Sequence, residues 1–349
     1  MKKIVVIGPN AGMGGVERAS VNIANGFVEF GNEVTYIALI PKSPFFELKS
    51  KYIEPNGFNN GSMDLIKTLR YIRKHVIDIK PDAILCFTKF YAAIANMALI
   101  FSRYKIYVTE RSSPLYKWPE KIEWFCRLSF SLKKVNGVIS QTSIASEFHK
   151  KYYGNTKYTI IPNAIREIKL YPYVKREKII LAVGRFQDTC KGFDLLVKAF
   201  NGVSNDEWRL VFAGGTREEG KYLLDFANEN KKSMIDFIGP VKDIDLLYAR
   251  AGIFVMPSRS EGYPNALAEA LIAGCCCISF DFTAGARDLI KDGFNGVLIE
   301  PENYVKLGEV LSELIVNKNK RELYSSNARL IKNNLDYSKI IQSYLKFIL

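Results

Sequence analysis

The feature that most constrains the fold is a twice-repeated alternation of short apolar runs with amphipathic helical patterns. The first series begins with KKIVVIG and continues through EVTYIAL, PDAILCF, KIYVTE and GVISQT to TIIPN at residues 159–163. The second begins with KIILAVGR at residues 178–185 and continues through WRLVFAGG, MIDFIG and IFVMPS to CCCISFD. Apolar strands separated by helices are typical of parallel sheets that are covered on both faces. The pattern therefore predicts an α/β chain with two doubly wound, Rossmann-like domains that face each other across a cleft.

The boundary between the two domains is predicted in the charged segment AIREIKLYPYVKRE, residues 164–177, which contains Pro172. We assign residues 1–168 to an N-terminal domain and residues 169–334 to a C-terminal domain. A helix at 335–349 is expected to pack back on the first domain. Ligands of doubly wound sheets bind beyond the carboxyl ends of the strands, so the loops there are the candidate binding loops.

The positive charge of the chain is concentrated in its first half. Residues 1–170 hold 25 Lys and Arg against 13 Asp and Glu, a net charge of +12 in a chain whose total is +13. An uneven basic charge indicates an anionic partner, which could be nucleic acid, an acidic membrane surface or a diphosphate-linked substrate. A basic face that is merely solvated is the alternative. We expect no nucleic-acid partner, because no recognition module is evident.

The segment LYKWPEKIEWFCRLSFSLKK, residues 115–134, mixes aromatic and basic residues. It fits either a helix lying against anionic lipid or an ordinary domain helix. The longest apolar run, AAIANMALIF, is far shorter than the roughly 20 residues that span a bilayer. Because the first strand begins at the initiator with no signal-peptide pattern, we expect a cytoplasmic protein. The net charge of +12 in residues 1–170 favours a peripheral protein on the cytoplasmic face of the inner membrane, where the basic N-terminal domain would meet an anionic membrane surface.

Six cysteines include the run Cys275, Cys276 and Cys277. Three adjacent cysteines cannot ligate one zinc ion with ordinary geometry, so we interpret them as small apolar residues in a strand.

The first candidate binding loop, GPNAGMGGVERA, follows the first strand. Gly12, Gly14 and Gly15 would let the backbone come close to a ligand, and the helix that follows favours an anion at its N-terminus. Glu17 stands where a dinucleotide fingerprint needs its last glycine, so NAD binding is only weakly indicated.

The second candidate loop, GRFQDTCKGFD, follows the first strand of the C-terminal half. Arg185 and Lys191 flank a short turn that leads into a helix. Two cations at the carboxyl end of a strand, beside a helix N-terminus, are suited to holding a diphosphate.

The third candidate loop, EGYPNALAEALIAG at residues 261–274, carries two carboxylates. Pro264 suits the first turn of a helix and Gly274 suits its end. Asn265 and Glu269 share one helix face, whereas Leu267, Ala270 and Leu271 face the core. Glu261 stays in the loop, close to the unpaired amides expected between Tyr263 and Ala266. Carboxylates and amide donors together suit a ligand with both hydroxyl and phosphate groups, such as a nucleotide sugar.

These motifs resemble those of a known enzyme family. EGYPNALAE is similar to the E-x7-E signature of the retaining family 4 glycosyltransferases of the GT-B fold. Similar segments occur in the same order along nearly the whole chain: GMGGVERA, IPNAI, AVGRF followed by KGFD, FIGPVKDIDLLYARAGIFVMPSRSEGYPNALAEALIAG, and GARDLIKDGFNGVLIEPEN.

The resemblance implies a role for each position. Glu269 would bind the ribose hydroxyls of the donor, Glu261 the hydroxyls of the transferred sugar, and Arg185 with Lys191 the leaving diphosphate. Further donor contacts would come from the loops at Gly14, Gly15, Ile238, Gly239, Gly262, Tyr263, Pro264, Asn265 and Ala266. The implied donor is a UDP-sugar carrying a hexose or an N-acetylhexosamine. The implied acceptor is a lipid-linked or surface glycan, for instance on a polyprenyl diphosphate.

The resemblance also implies retention of anomeric configuration. Because Arg185 and Lys191 would neutralise the diphosphate in place of a metal ion, we expect neither a metal ion nor a cofactor. Asp243 and Asp245 form a D-x-D sequence, but they begin a helix, where acids are common caps. Two other functions stay open: a UDP-sugar epimerase of similar fold, and a nucleotide-sugar-binding protein without catalysis.

The sequence departs from many relatives in the first domain, where a histidine often follows the fourth strand. This chain has VTERSSP there, which puts Glu110 and Arg111 at the edge of the expected cleft. We expect one of them to contact the acceptor or the transferred sugar; a structural ion pair is the alternative.

Overall fold

The chain forms two compact units in a computed structural model that describes residues 1–12, 15–55, 64–111, 113–204, 207–283 and 285–349. One unit comprises Met1–Ala164 with Asp336–Leu349, and the other comprises Ile165–Leu335. The division falls after Ala164, whereas the sequence analysis set the boundary at residue 168. Ile165 and Ile168 are buried in the core of the second unit, so the charged segment at 164–177 belongs to that unit from Ile165 onward.

The first unit is built on a parallel sheet with the strand order β3-β2-β1-β4-β5-β6-β7. Its strands are β1 (Lys3–Gly8), β2 (Glu33–Ala38), β3 (Lys51–Ile53), β4 (Ala83–Phe87), β5 (Ile106–Thr109), β6 (Gly137–Ser140) and β7 (Lys157–Ile160). Its helices include α1 (Gly15–Glu29), α2 (Leu65–Ile79), α3 (Lys89–Ala98), α4 (Glu120–Leu132) and α5 (Ser143–Tyr153).

Strand β1 shows why this sheet needs cover on both sides. Ile4 and Val6 are fully buried in one apolar layer, and Val5 and Ile7 are fully buried in the other. Successive side chains of a strand point to opposite faces, so a continuous apolar run is buried only when helices pack on both.

The last helix, Tyr337–Ile348, packs in the first unit. Ile341, Tyr344 and Ile348 are buried in the layer that contains Ile4. A methyl group at Gly26 of α1 would lie 2.4 Å from Cδ1 of Ile341, so glycine at this position allows the two helices to approach.

The second unit has a parallel sheet with the order β10-β9-β8-β11-β12-β13. Its strands are β8 (Glu177–Val183), β9 (Arg209–Ala213), β10 (Ile235–Phe237), β11 (Ala251–Met256), β12 (Cys276–Phe280) and β13 (Val297–Ile299). Its helices include α6 (Phe193–Asn201), α7 (Arg217–Gly220), α8 (Glu229–Lys232), α9 (Ile244–Arg250), α10 (Asn265–Ile272), α11 (Ala286–Leu289), α12 (Tyr304–Val316) and α13 (Lys318–Ala328). The C-terminal helix Tyr337–Ile348, which packs in the first unit, is α14.

The doubly wound α/β architecture predicted from the sequence is confirmed for both units. The cysteine run is also as predicted, since Cys275, Cys276 and Cys277 are fully buried and the last two lie in β12. Strands β3 and β13 were not predicted from the sequence, because these three-residue edge strands have no long apolar run. Within the described ranges, no helix combines the length and apolarity required to cross a bilayer.

Candidate active site

Two loops of the second unit meet where its strand order reverses. Strands β8 and β11 are parallel neighbours, although β9 and β10 separate them in the chain. The loop that carries Arg185 and Lys191 follows β8, and the loop that carries Glu261 follows β11. Crevices at such reversals are the usual ligand sites of open parallel sheets.

Lys191 and Glu261 are in direct contact. The Lys191 Nζ donates to Oε1 of Glu261 across 2.7 Å, and both side chains are largely buried. The hydroxyl of Ser258 donates to the same Oε1 across 2.7 Å. Three polar groups that the sequence places on two loops thus converge on one point.

Close backbone packing fixes the relative position of the two loops. Gly192 has a φ of 65°, and a methyl group there would lie 1.9 Å from the carbonyl oxygen of Pro257. The Arg259 amide donates to the Cys190 carbonyl across 2.7 Å. The Arg259 guanidinium also binds both carboxylate oxygens of Asp194, across 2.9 and 2.8 Å. Arg259 therefore ties the loop after β11 to the start of α6.

Arg185 lies on the same loop, but its side chain extends into solvent. Its side chain is 83% exposed, and its ion pair with Asp188 is long at 3.6 Å. Such an exposed pair contributes little to stability, so Arg185 keeps its capacity to bind an anion.

Helix α10 has the end and the apolar face that the sequence predicts, but Pro264 precedes the helix and does not lie in its first turn. It begins at Asn265, directly after Pro264, and Leu267, Ala270 and Leu271 are fully buried. At its end Gly274 has a φ of 77°, Gly274 N donates to Leu271 O and Cys275 N donates to Ala270 O, as in a Schellman motif. One expectation is wrong: the Asn265 amide is not a free donor, because it bonds to the Tyr263 carbonyl across 2.9 Å.

Glu269 is held by two residues from outside its helix. The hydroxyl of Tyr248 donates to Oε2 across 3.2 Å, and Nε of Arg166 lies 3.3 Å from Oε1. Arg166 also forms a two-point contact with Asp245, whose Oδ2 accepts from Nη1 across 2.8 Å. Burial alone would raise the pKa of Asp245, but the hydrogen bonds from Arg166 and the Lys169 amide hold that pKa below its usual value.

The two acids of the D-x-D sequence have different partners. Asp243 caps α9, accepting from the Leu246 amide across 3.0 Å, as predicted. Asp245 is not a cap, since it pairs with Arg166. In the part of the chain that the structure describes, no three His, Cys, Asp or Glu side chains are grouped closely enough to hold a metal ion.

The other predicted donor contacts are distributed over both units, and one lies outside the described residues. Ile238 is partly exposed at the carboxyl end of β10, and Gly239 follows it with a φ of 75°. Tyr263 is buried, whereas Gly262 and Ala266 are half-buried. In the first unit, Gly15 begins α1, and a methyl group there would meet nothing within 4 Å. Gly14 lies outside the described residues.

Glu110 and Arg111 are both buried in the first unit. Oε2 and Oε1 of Glu110 accept from the amides of Lys89 and Arg111, each across 3.0 Å. The Arg111 guanidinium donates to the Tyr344 hydroxyl across 2.6 Å and also contacts Asn163. Arg111 therefore links the end of β5 to the C-terminal helix through a hydrogen bond, whereas the structural alternative considered from the sequence was an ion pair. A contact of Glu110 or Arg111 with the acceptor or the transferred sugar stays a prediction.

Three residues that contact the predicted carboxylates were not predicted from the sequence, namely Arg166, Tyr248 and Ser258. Arg259, which ties the loop after β11 to α6 through Asp194, was not predicted either. Ser258 and Arg259 directly follow the strand IFVMP in the long segment that ends in EGYPNALAEALIAG. Their position at the carboxyl end of a strand could have indicated that they belong to the site. Arg166 lies in the irregular segment between the domains, where no periodicity indicates the direction of a side chain.

Comparison with known proteins places the chain in a family. The model described as "Glycosyltransferase Family 4" matches residues 13–167, and the model "Glycosyl transferases group 1" matches residues 166–331. The chain is 26% identical over 356 residues to an uncharacterized glycosyltransferase of Haemophilus influenzae, covering 99% of both chains. It is 25% identical over 362 residues to a Campylobacter jejuni α-1,4-N-acetyl-D-galactosaminyltransferase, covering 100% of this chain and 98% of the relative.

Solved structures agree in fold. Anabaena HepE in complex with UDP superposes with a TM-score of 0.82 at 16% identity, covering 99% of both chains. A glycosyltransferase from Rickettsia africae superposes with a TM-score of 0.82 at 17% identity, covering 99% of this chain and 97% of the other. Together the two family models span most of the sequence, in the order of the two structural units, and the chain therefore belongs to the family 4 glycosyltransferases of the GT-B fold.

Proposed function

We propose that the chain transfers a hexose or N-acetylhexosamine from a UDP-sugar to a lipid-linked or surface glycan, with retention of anomeric configuration. The observation that carries the proposal is the convergence of Lys191, Ser258 and Glu261 where β8 and β11 end, with Glu269 on the helix that follows. Cationic and carboxylate groups side by side match a ligand that is anionic at one end and hydroxylated at the other.

The donor assignment rests on the charges of this site. Arg185 and Lys191 would neutralise the diphosphate, and Glu269, oriented by Arg166 and Tyr248, would accept the ribose hydroxyls. The choice of UDP is supported by HepE, a structural neighbour whose structures include complexes with UDP and with UDP-glucose.

The acceptor assignment rests on a relative. The Campylobacter jejuni enzyme is named for an acceptor built on undecaprenyl diphosphate. A similar acceptor, on a polyprenyl diphosphate at the cytoplasmic face of the membrane, would also suit the basic charge of residues 1–170.

The proposed reaction places few demands on the protein beyond positioning and charge. The bond between the anomeric carbon and the diphosphate oxygen breaks, and the acceptor oxygen bonds to that carbon on the same face. The acceptor proton passes to the departing diphosphate. Lys191 and Arg185 stabilise the negative charge that develops there, and Glu261 holds the sugar hydroxyls. We therefore propose that the reaction needs neither a metal ion nor a cofactor.

A thermal-shift panel of UDP, GDP, ADP, NAD and several UDP-sugars, run in EDTA, tests the donor assignment. A ligand that binds only the folded state raises the unfolding temperature. We expect a shift with UDP and one UDP-sugar that is lost in Glu269→Ala. If only NAD raises the unfolding temperature, or if none of the nucleotides raises it, the proposal is contradicted. Transfer to an acceptor in EDTA then separates a transferase from an epimerase, which would release free sugar.

A further inference from the structure

The first unit contains a small pocket that includes none of the residues assigned above to the donor. It combines aromatic side chains with a buried hydroxyl group that has no hydrogen-bond partner among the described residues. Residues from four segments line it: Lys89 at the start of α3, Glu110 after β5, Trp118 before α4, and His149 with Tyr153 on α5. The cavity measures about 110 Å³. A water-sized group needs roughly 10–15 Å³ on this measure, so the pocket has room for several heavy atoms.

Tyr153 gives the pocket a polar group that the fold does not use. Tyr153 is nine-tenths buried, and its hydroxyl has no hydrogen-bond partner among the described residues. Burial, and next the nearby Glu110, raise the pKa of Tyr153 well above its usual value, so the hydroxyl remains a proton donor. A buried donor without a partner costs about 1–3 kcal/mol, and a ligand acceptor would remove that cost.

The walls and the rim of the pocket are aromatic. Trp118 packs edge-on against Tyr116 at 5.3 Å between ring centroids, and the Nζ of Lys89 lies 5.7 Å from the centroid of Trp118. Lys89 is itself fixed by Glu123 across 2.6 Å. At the rim, Tyr116 is 57% exposed and Phe148 is 41% exposed, so the pocket is accessible from solvent.

The backbone beside the pocket is strained. Thr88, which precedes Lys89, has a φ of 72°. A β-branched residue rarely adopts this conformation, and such strain is concentrated at binding sites. The Lys89 amide that follows donates to Glu110, which fixes the carboxylate of the pocket.

We propose that this pocket binds the acetamido group of an N-acetylhexosamine unit in the acceptor glycan. The acetamido carbonyl accepts from the Tyr153 hydroxyl, its N–H faces the Glu110 carboxylate, and its methyl group packs on the aromatic walls. A sugar hydroxyl has no apolar end for those walls, which favours an acetamido sugar over a plain hexose. This inference rests on the proposed function, because it names the class of sugar that the first unit recognises.

The test compares two probes by ligand-observed NMR on the full chain without nucleotide: methyl N-acetyl-α-D-galactosaminide and methyl α-D-galactoside, with the corresponding gluco pair. We expect saturation transfer to the acetyl methyl group and tighter binding of the N-acetyl probe in at least one pair. Tyr153→Phe should weaken binding of that probe roughly three- to tenfold, the effect of one lost hydrogen bond, and leave the plain glycoside unchanged.

Two further variants keep the test decisive. Tyr158→Phe removes a hydroxyl that does not line the pocket and bonds to the Gly154 carbonyl across 2.6 Å. Among the described residues, its only hydrogen bond to a lining residue is a long one of 3.5 Å to the backbone carbonyl of His149, so this variant should not change the preference. Phe148→Ala changes an exposed aromatic residue at the rim, which keeps the core intact, and should weaken the acetyl methyl signal. Equal binding within both pairs, no binding of any probe, or an unchanged preference in Tyr153→Phe would overturn the inference. Because the probes carry no nucleotide, UDP binding in the thermal-shift panel reports on the proposed function separately.

Discussion

The ammonium group of Lys191 and the carboxylate of Glu261 are each other's counter-ions, joined across 2.7 Å at the ends of two neighbouring strands. In the proposed reaction they act on different parts of the donor, Lys191 on the diphosphate and Glu261 on the sugar. Donor binding must therefore replace part of this contact. The exposed guanidinium of Arg185, on the same loop as Lys191, is not held by Glu261 and can bind the diphosphate directly.

Replacing that exposed cation should separate activity from stability. Arg185→Ala is expected to lower turnover roughly 100- to 1,000-fold, because one charge contact to the leaving group is lost. Its side chain is 83% exposed, so the unfolding temperature should change by less than about 3 °C. Transfer kinetics and a melting curve provide both values. Arg217→Ala, another exposed arginine of the second unit, is the control, and wild-type turnover in Arg185→Ala would remove Arg185 from the site.

Arg166 should affect donor binding without contacting the donor's sugar. Arg166→Met leaves Glu269 and Asp245 without their cation, which should cost about 2 kcal/mol of stability, since a quarter of the Arg166 side chain is exposed. Glu269 also loses its orientation, so we expect KM for the donor to rise more than kcat falls. Arg166→Lys should restore stability in part, but not the two-point contact with Asp245. A variant with unchanged KM would show that Tyr248 alone orients Glu269.

The pH dependence of stability should report the pairing of Asp194. Burial would raise the pKa of this group, but the hydrogen bonds from Arg259 hold it below its usual value. The unfolded chain, with an aspartate pKa of about 3.9, therefore takes up a proton more readily than the folded chain as pH falls. The stabilisation is present above that value and is lost as pH falls through the lower, folded pKa.

Asp194→Asn checks this sign. The difference in unfolding temperature between wild type and Asp194→Asn should be constant from about pH 6 to 7.5 and should shrink below about pH 4. A difference that grows on acidification would contradict the assignment.

Two glycines allow strain and crowding to be distinguished. Gly192 and Gly293 have similar φ values, 65° and 71°, but only at Gly192 would a methyl group meet neighbouring atoms. Gly293→Ala should cost about 1 kcal/mol for the left-handed backbone alone. Gly192→Ala should cost more and should also abolish UDP binding, because the loop with Lys191 must move away from Pro257. The unfolding temperature and UDP binding of both variants check this prediction. If Gly192→Ala and Gly293→Ala have equal effects, the close approach of Gly192 to Pro257 is unimportant.

Helix α4 offers a test of membrane association. Trp124 and Leu132 are 66% and 54% exposed, and with Leu128 they recur every fourth residue, so they share one helix face close to Lys121. Trp124→Ser should reduce sedimentation with phosphatidylglycerol vesicles about tenfold, whereas Tyr173→Ser, an exposed aromatic of the second unit, should not. If both variants sediment like wild type, this face does not bind lipid.

The proximity of Lys191 and Glu261 could be anticipated because strand order and loop position determine it. Each residue follows a strand that the sequence marks clearly, and parallel strands end at one edge. The partners of Glu269 could not be anticipated. Arg166 lies in an irregular segment, and its direction depends on the packing of Ile165 and Ile168 in the second core. The hydrogen bond from Arg111 to Tyr344 could not be anticipated either, because it depends on a helix at the far end of the chain.

The return of α14 to the first unit has a consequence for biosynthesis. The buried residues of α14 (Ile340, Ile341, Tyr344 and Ile348) complete an apolar layer whose other buried members are made before residue 165. On the ribosome that layer stays open while residues 165–335 are translated, roughly 10 to 30 s at ordinary elongation rates. The unit that comes second in the sequence is therefore the first that can finish folding, and the nascent N-terminal half is the stretch that a chaperone would have to protect.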